Sequence, residues 1–186
     1  MTPTLPRTYN ATSQCFHWLV AALILLMLVL GFSLDVVPDD WRKVVMKTHK
    51  ATGTLILGLA VLRLGWQAFT RSPAPVQAPW IQMKVAQATH ILLYGLMLAM
   101  PLTGLMMMSA VGNSVDFFGL AEIPPLLPEN ELMDVLATLH GWLAYALLGL
   151  IGLHSAGALY HHLILKDDTL QRMIKGDSQR GTHAKT

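Results

Sequence analysis

The sequence predicts an all-α fold, a transmembrane four-helix bundle, and three observations support this prediction. The 186-residue chain is 53% hydrophobic, and only 13% of its residues are charged, about half the share that soluble domains carry. Its mean hydropathy is +0.47. Four apolar stretches reach the length of about 20 residues that spans a bilayer. The formal net charge of +2 offers no basic surface, so nucleic-acid binding is excluded.

The four predicted spans cover residues 13–35, 44–69, 84–111 and 134–165. Residues 85–115 and 135–165 contain no Asp, Glu, Lys or Arg, so they lack the polar outer face of a soluble bundle. Backbone groups cannot stay unpaired in lipid, and all four spans are therefore expected to be helices. We expect residues 1–175 to form one domain and residues 176–186 to be a disordered polar tail. In order, the span interiors carry these ionisable side chains: His17; His49, Lys50 and Arg63; His90; His140, His154, His161 and His162.

The orientation of the spans follows from the Lys and Arg residues near their ends. Four of these basic residues lie on one side, namely Arg42, Lys43, Lys47 and Lys50. Nine lie on the other side, namely Arg7, Arg63, Arg71, Lys84, Lys166, Arg172, Lys175, Arg180 and Lys185. Because basic residues accumulate on the inner side of a membrane, both termini and the tail are expected to be cytoplasmic.

The histidines inside the spans are costly to bury in lipid, and such residues are by default functional. His140 and His154 are 14 residues apart, about 21 Å along a helix and nearly four turns, so they face nearly the same way at opposite depths. His49 begins span two near the outer face, and His17 begins span one near the cytoplasmic face. The topology therefore predicts two pairs, His49 with His140 outside and His17 with His154 inside.

Two opposed imidazoles on facing helices suit a flat macrocycle that carries iron and takes one axial nitrogen from each side. The single cysteine, Cys15, excludes the Cys-x-x-Cys-His attachment of a c-type haem, so we expect two stacked b-type haems. A zinc site would need three or four ligands at one level. A His-lined metal transporter without haem remains a remote alternative, because spans three and four offer a cation no carboxylate path.

Short motifs follow one another along nearly the whole chain, from Arg7 to Met173. They are His17-Trp18, Lys47-Thr-His49-Lys-Ala-Thr-Gly53, Pro101-Leu-Thr-Gly104, Leu139-His140, Gly152-Leu-His154, His161-His162 and Lys166-Asp-Asp-Thr-Leu-Gln-Arg172-Met. In this combination the chain resembles the bacterial cytochrome b561 family. The resemblance implies a multi-pass protein of the bacterial inner membrane with two b haems, whose axial ligands are His17, His49, His140 and His154. The family is related to the cytochrome b subunits of nickel hydrogenases and formate dehydrogenases.

Three further side chains are candidates for binding quinone or haem propionates. His161 shares the face of His154 and is expected to hydrogen-bond a quinone or a propionate, with snorkelling to the headgroups as the alternative. His90 begins span three at the depth of His17, which makes it the rival axial ligand; we expect it instead to support the quinone side. Arg63 needs an anionic partner, which a propionate or a lipid phosphate would supply.

The resemblance also implies transmembrane electron transfer linked to the quinone pool. Some stand-alone members resemble superoxide oxidases, which pass an electron from periplasmic superoxide through the haems to ubiquinone. Positive charge would steer superoxide to the outer haem, and the basic cluster beside His49 could supply it. Alternatively, the chain is an electron-relay subunit for a separate dehydrogenase or periplasmic redox protein. Membrane lipid and ubiquinone are expected partners in both cases.

Reporter fusions test the orientation. Fusions after Met173 and near Pro73 should report the cytoplasm, and a fusion near Pro124 should report the periplasm, because nine of the basic residues lie on the first side. The opposite pattern would exchange the levels of the two histidine pairs.

Overall fold

The computed structural model describes residues 8–70, 72–74, 76 and 78–175. Its architecture is an all-α bundle with one small hairpin. Within this part of the chain, four helices are long and apolar enough to cross a membrane, which confirms the predicted fold class. The expected tail, residues 176–186, lies outside the described residues. The elements in order are α1 (Ala11–Ser33), α2 (Asp39–Phe69), α3 (Trp80–Ala110), β1 (Val115–Phe117), β2 (Ala121–Ile123), α4 (Met133–Tyr160), a π turn (His161–Leu165) and α5 (Gln171–Ile174).

The helix ends follow from local chemistry. The side chain of Asn10 caps α1 by accepting a hydrogen bond from the backbone N–H of Ser13 at 2.8 Å. Pro38 and Pro79 directly precede α2 and α3, where a residue without an N–H leaves no helical bond unmade. Asp39 and Asp40 occupy the first turn of α2, where negative charge complements the helix dipole.

The helices pack in sequence order, α1 on α2, α2 on α3 and α3 on α4, whereas α1 and α4 approach each other far less. Val20, Ala60 and Met97 form the buried centre between the helices. Ala60 is fully buried, and such a small residue lets neighbouring backbones come close. Large apolar side chains such as Val29 and Leu62 instead point outward, 66% and 60% exposed. Large apolar side chains on the outer surface of the bundle suit contact with lipid.

The hairpin β1–β2 is an element that the sequence did not predict. Its strands pair antiparallel, with Phe117 opposite Ala121, and both Phe118 and Gly119 have positive φ angles, 54° and 73°. Such turns match the twist of paired strands, but the usual Asn-Gly or Asp-Gly signal is missing here. The Asp116 carboxylate takes the place of that signal, since it accepts a hydrogen bond from Gly119 N at 2.8 Å.

The same carboxylate connects the hairpin to α2. Lys47 Nζ lies 3.4 Å from Asp116 Oδ2. The hydrogen bond from Gly119, together with Lys47, lowers the pKa of Asp116, so the carboxylate stays ionised at neutral pH. Val115, at the start of β1, is only 2% exposed and so anchors the hairpin on the end of the bundle.

The chain after α4 returns to the start of α1. A π turn follows α4, and Lys166 then reverses the chain with a positive φ of 52°. Gln14 Nε2 lies within 3.1 Å of the carbonyl oxygens of Arg172 and Lys175, and Trp18 Nε1 donates to Met173 O at 3.0 Å. These bonds fix α5 beneath the end of the bundle that carries His17.

Candidate functional site

The four predicted axial histidines stand in two facing pairs. The ring centroids of His49 and His140 are 6.3 Å apart, and the planes cross at 70°. Those of His17 and His154 are 6.2 Å apart, with planes at 61°. Helix α4 contributes one histidine to each pair, while α2 and α1 contribute the others.

Both separations leave room for a metal atom between the two rings. A metal–imidazole bond is about 2 Å long, as for zinc, and two such bonds plus the half-widths of two rings give a centroid separation of this order. Among the residues that the structure describes, no three His, Cys, Asp or Glu side chains converge on one metal position. Two imidazoles without a third protein ligand fit an iron whose other positions belong to a macrocycle.

The His49–His140 site opens into a cavity of about 370 Å³ between the helices. Its walls are mostly apolar and include Met27, Leu105 and Leu147. Gly31 makes space for an imidazole, since a Cβ there would approach His49 Cε1 to 3.3 Å. A Cβ at Gly104 would make an ordinary contact with His140 Cε1, at 3.7 Å. An apolar cavity between two imidazoles matches a flat apolar ring, so the residues present fit a b-type haem.

Thr103 contacts His140 at this site, and the sequence analysis quoted it in a motif without giving it a role. Its Oγ1 lies 2.8 Å from His140 Nδ1 and 2.8 Å from the carbonyl oxygen of Met100. In contrast, Nδ1 of His49 is buried and has no hydrogen-bond partner among the described residues. The two imidazoles of this pair therefore differ in hydrogen bonding at Nδ1.

The His17–His154 site contains a buried arginine. Arg63 is 9% exposed, and its Nη2 lies 3.0 Å from His17 Nδ1. A guanidinium can only donate hydrogen bonds, so Nδ1 of His17 accepts here and Nε2 carries the ring proton. Coordination of a metal through Nε2 would need the opposite tautomer, and Arg63 would then have to turn to another acceptor.

Two tyrosines lie near this arginine. The guanidinium carbon of Arg63 is 5.7 Å from the ring centroid of Tyr94, whose hydroxyl accepts a hydrogen bond from Gln67 Nε2 at 2.6 Å. Tyr9 precedes α1, and burial raises the pKa of its phenol, which keeps it neutral. Within the described chain, Arg63 thus has no carboxylate partner in an ion pair, although it is charged and buried.

His90 adds a third imidazole at this level. Its ring centroid lies 5.2 Å from that of His154, with planes at 72°. His90 is exposed on α3, whereas His17 and His154 are half-buried. His17 and His90 both lie close to His154, so the distances are compatible with either as its partner.

His161 lies in the π turn and forms a separate cluster. Its Nδ1 is 2.5 Å from Asp167 Oδ2 and 3.4 Å from Thr169 Oγ1. Burial opposes ionisation of Asp167, but hydrogen bonds from Thr169 and His161 outweigh it and lower the pKa of the carboxyl. The carboxylate accepts the Nδ1 proton of His161, so Nε2 is left to face a ligand. The sequence analysis quoted Asp167 in the motif from Lys166 to Met173 without giving it a role.

Several known proteins are similar to this chain, and three of them are described here. Cytochrome b561 homolog 2 of Escherichia coli (strain K12) is 33% identical over 182 residues, 95% of this chain and 96% of the relative. Cytochrome b561 homolog 1 of the same organism is 36% identical over 69% of this chain and 73% of the relative. A protein of Yersinia pestis named probable superoxide oxidase CybB is 31% identical over 90% of this chain and 96% of the relative.

The family model described as prokaryotic cytochrome b561 matches residues 8–176. This match includes all four long helices and both histidine pairs. The family implies b-type haem and a multi-pass location in a bacterial membrane, in agreement with the four apolar helices. The chain therefore belongs to the prokaryotic cytochrome b561 family of membrane electron-transfer proteins.

Proposed function

We propose that this protein carries electrons across the inner membrane through two b-type haems, from periplasmic superoxide to ubiquinone. The observation that carries the proposal is the pair of facing imidazoles at each of two levels along α4. His49 and His140 would hold the outer haem, and His17 and His154 the inner one. Both termini would be cytoplasmic, in keeping with the distribution of basic residues.

The haem irons supply centres that take up and release single electrons, and the chain sets their surroundings. The facing histidines would hold one haem at each level. Apolar walls around His49 and His140, among them Leu105 and Leu147, exclude water. In the low dielectric between the helices, charges and dipoles near each iron act strongly on its potential.

Arg63 is the propionate-binding residue in this proposal. It is buried and charged, and the side chain that it contacts at 3.0 Å is the proposed ligand His17. A carboxylate is a far better partner for a guanidinium than an imidazole nitrogen, because both groups are charged and their geometry matches. Moving Arg63 to a propionate would also free Nδ1 of His17 to take the proton that Nε2 gives up.

Superoxide is the proposed donor. Each superoxide anion would give up one electron at the His49–His140 site and leave as dioxygen. Lys50 lines the cavity of the His49–His140 site, so its charge lies close to the path of an incoming anion. The similarity to the Yersinia pestis protein named probable superoxide oxidase CybB supports this choice of donor.

Ubiquinone is the proposed acceptor, because it dissolves in the same bilayer. Its reduction to the quinol takes two electrons and two protons, so two superoxide anions are consumed for each quinol. A doubly protonated His161 would donate Nε2–H to a quinone carbonyl while Asp167 accepts the hydrogen bond from its Nδ1–H. Asp167 is half-exposed to solvent, which gives this dyad access to protons from the cytoplasmic side.

A relay function for a separate redox protein is the second candidate. The tip of the β1–β2 hairpin exposes two large apolar residues, Leu120 at 82% and Phe118 at 47%. Such a tip, placed over the His49 end of the bundle, could contact a protein donor. In that case the donor would be a dehydrogenase or a periplasmic redox protein in place of superoxide.

Haem counting tests the ligand assignment. The wild-type protein should contain two haems per chain in a pyridine haemochrome assay. Alanine at His49 or His140 should remove one haem, and alanine at His17 or His154 should remove the other, because each iron loses an axial bond. His162→Ala is the matched control and should keep both. One haem or none in the wild type, or loss of a haem in His90→Ala but not in His17→Ala, would contradict the assignment.

Charge variants test the donor. Lys50→Gln should slow haem reduction by superoxide roughly twofold to threefold at low salt, since one unit charge within about 8 Å changes the local anion concentration by that order. The effect should fade at 0.1 M salt and above, where screening acts over about 10 Å. The double variant Lys47→Gln/Asp116→Asn removes an ion pair without changing net charge and serves as control. Haem content is measured in each variant.

If superoxide dismutates spontaneously before it reduces the haems, the donor is a protein and the relay function holds.

Acceptor variants test the quinone side. His161→Ala should leave haem reduction intact and slow haem re-oxidation by a ubiquinone analogue, on the order of a hundredfold to ten-thousandfold if it acts as general acid. Asp167→Asn should slow the same step, because the neutral amide no longer stabilises a protonated imidazole. Stopped-flow absorbance at the haem α-band follows both steps, with His162→Ala as control. Unchanged re-oxidation in both variants would place the quinone elsewhere.

A further inference from the structure

Thr103 is a buried hydroxyl that the electron-transfer proposal leaves without a role. It lies on α3, is 7% exposed, and contacts one of the proposed ligands across the helix interface. Its Oγ1 is 2.8 Å from the carbonyl oxygen of Met100 in its own helix. The same oxygen is 2.8 Å from Nδ1 of His140 on α4.

The count of hydrogen atoms decides the direction of both bonds. A hydroxyl has one hydrogen, and a carbonyl oxygen can only accept. Two oxygen atoms 2.8 Å apart without a hydrogen between them would repel, so the Thr103 hydrogen points to Met100. Towards His140, the hydroxyl oxygen therefore accepts, and the proton lies on Nδ1. The lone pair of His140 is then on Nε2, the nitrogen that a metal would take.

The other proposed ligands lack this support. Nδ1 of His49 is buried without a hydrogen-bond partner in the described part of the chain. Nδ1 of His17 faces Arg63, which can only donate. Of these three imidazoles, His140 is the one whose tautomer is already that of a metal ligand, with its ring held by a neighbouring helix.

We propose that Thr103 is a positioning residue for His140, and that it lowers the reduction potential of the haem that His140 binds. This inference rests on the proposed haem ligation. A group that accepts the Nδ1 proton orients the ring and makes the imidazole a stronger donor to the metal. Stronger donation stabilises ferric more than ferrous iron, because ferric iron carries the greater positive charge. The electron then resides less readily on this haem and is passed on.

Thr103→Val tests the inference, since valine keeps the branched shape and removes the oxygen. The midpoint potential of one haem should rise, while that of the other stays at its wild-type value. The affinity for the affected haem should fall by about tenfold to a hundredfold. Thr103→Ser restores the oxygen and should return both properties towards wild type. Optical redox titration measures the potentials, and electron paramagnetic resonance reports the axial ligand field.

The matched control is Thr89→Val. Thr89 is also buried on α3, at 5% exposure, and its hydroxyl donates to a backbone oxygen, that of Val85, at 2.8 Å. Its hydroxyl has no histidine partner among the described residues, so both potentials should stay unchanged. If Thr103→Val fails to assemble, Thr103→Ala removes the same oxygen without the second methyl group and takes its place.

The His140→Ala variant separates the two possible failures. If it loses a haem while Thr103→Val and Thr103→Ala leave both potentials, the resonance spectrum and the haem content unchanged, the role of Thr103 is wrong and the ligand assignment stands. If His140→Ala loses no haem, the ligand assignment is wrong and the inference falls with it. A shift of the same size in Thr89→Val would also overturn the inference.

Discussion

The structure depends on one constraint, that polar groups inside a bilayer must find partners within the protein. The constraint makes the backbone helical in all four spans, and it turns histidines inward, where they meet one another or a bound group. His49 faces His140, and His17 faces His154, at ring separations that leave room for a bound group. The functional site is in this sense a product of the same rule that selects the fold.

The two levels satisfy that rule by different means. At the His49–His140 site, a hydroxyl from α3 contacts one ring and a glycine makes space for the other. At the His17–His154 site, a buried guanidinium contacts one ring and a third histidine lies alongside. A neutral hydroxyl and a permanent positive charge act differently on an iron nearby, since the charge disfavours the ferric state. In the proposed arrangement with two haems, such a difference would give an electron a preferred direction between the two centres.

The sequence predicted the architecture because hydropathy is a property of each single helix. It predicted the histidine pairs because the topology and the helical spacing place the members of each pair at the same depth. His140 and His154 fall on one face of α4 by their spacing alone. Thr103 could not be assigned in this way, since its contact depends on how α3 and α4 are rotated against each other. The hairpin was missed because Phe118, a bulky residue, precedes Gly119 at the turn where Asn or Asp is usual. The π turn at His161 was missed because one extra residue per turn leaves no trace in an apolar run.

Helices α1 and α4 pack against each other much less than the sequential helices do. This has a consequence for the biogenesis of the protein. Three interfaces between sequential helices can form as the chain enters the bilayer, while the fourth side stays accessible from the lipid. A flat hydrophobic cofactor dissolved in the membrane can then enter between α1 and α4 from the lipid, and no helix has to leave the bundle. In the proposed haem arrangement, His17 of α1 and His49 of α2 would each share a cofactor with a histidine of α4, across the side that the polypeptide leaves open. Cofactor capture would then be the last step of assembly, and it would contribute its binding free energy to the stability of the whole bundle.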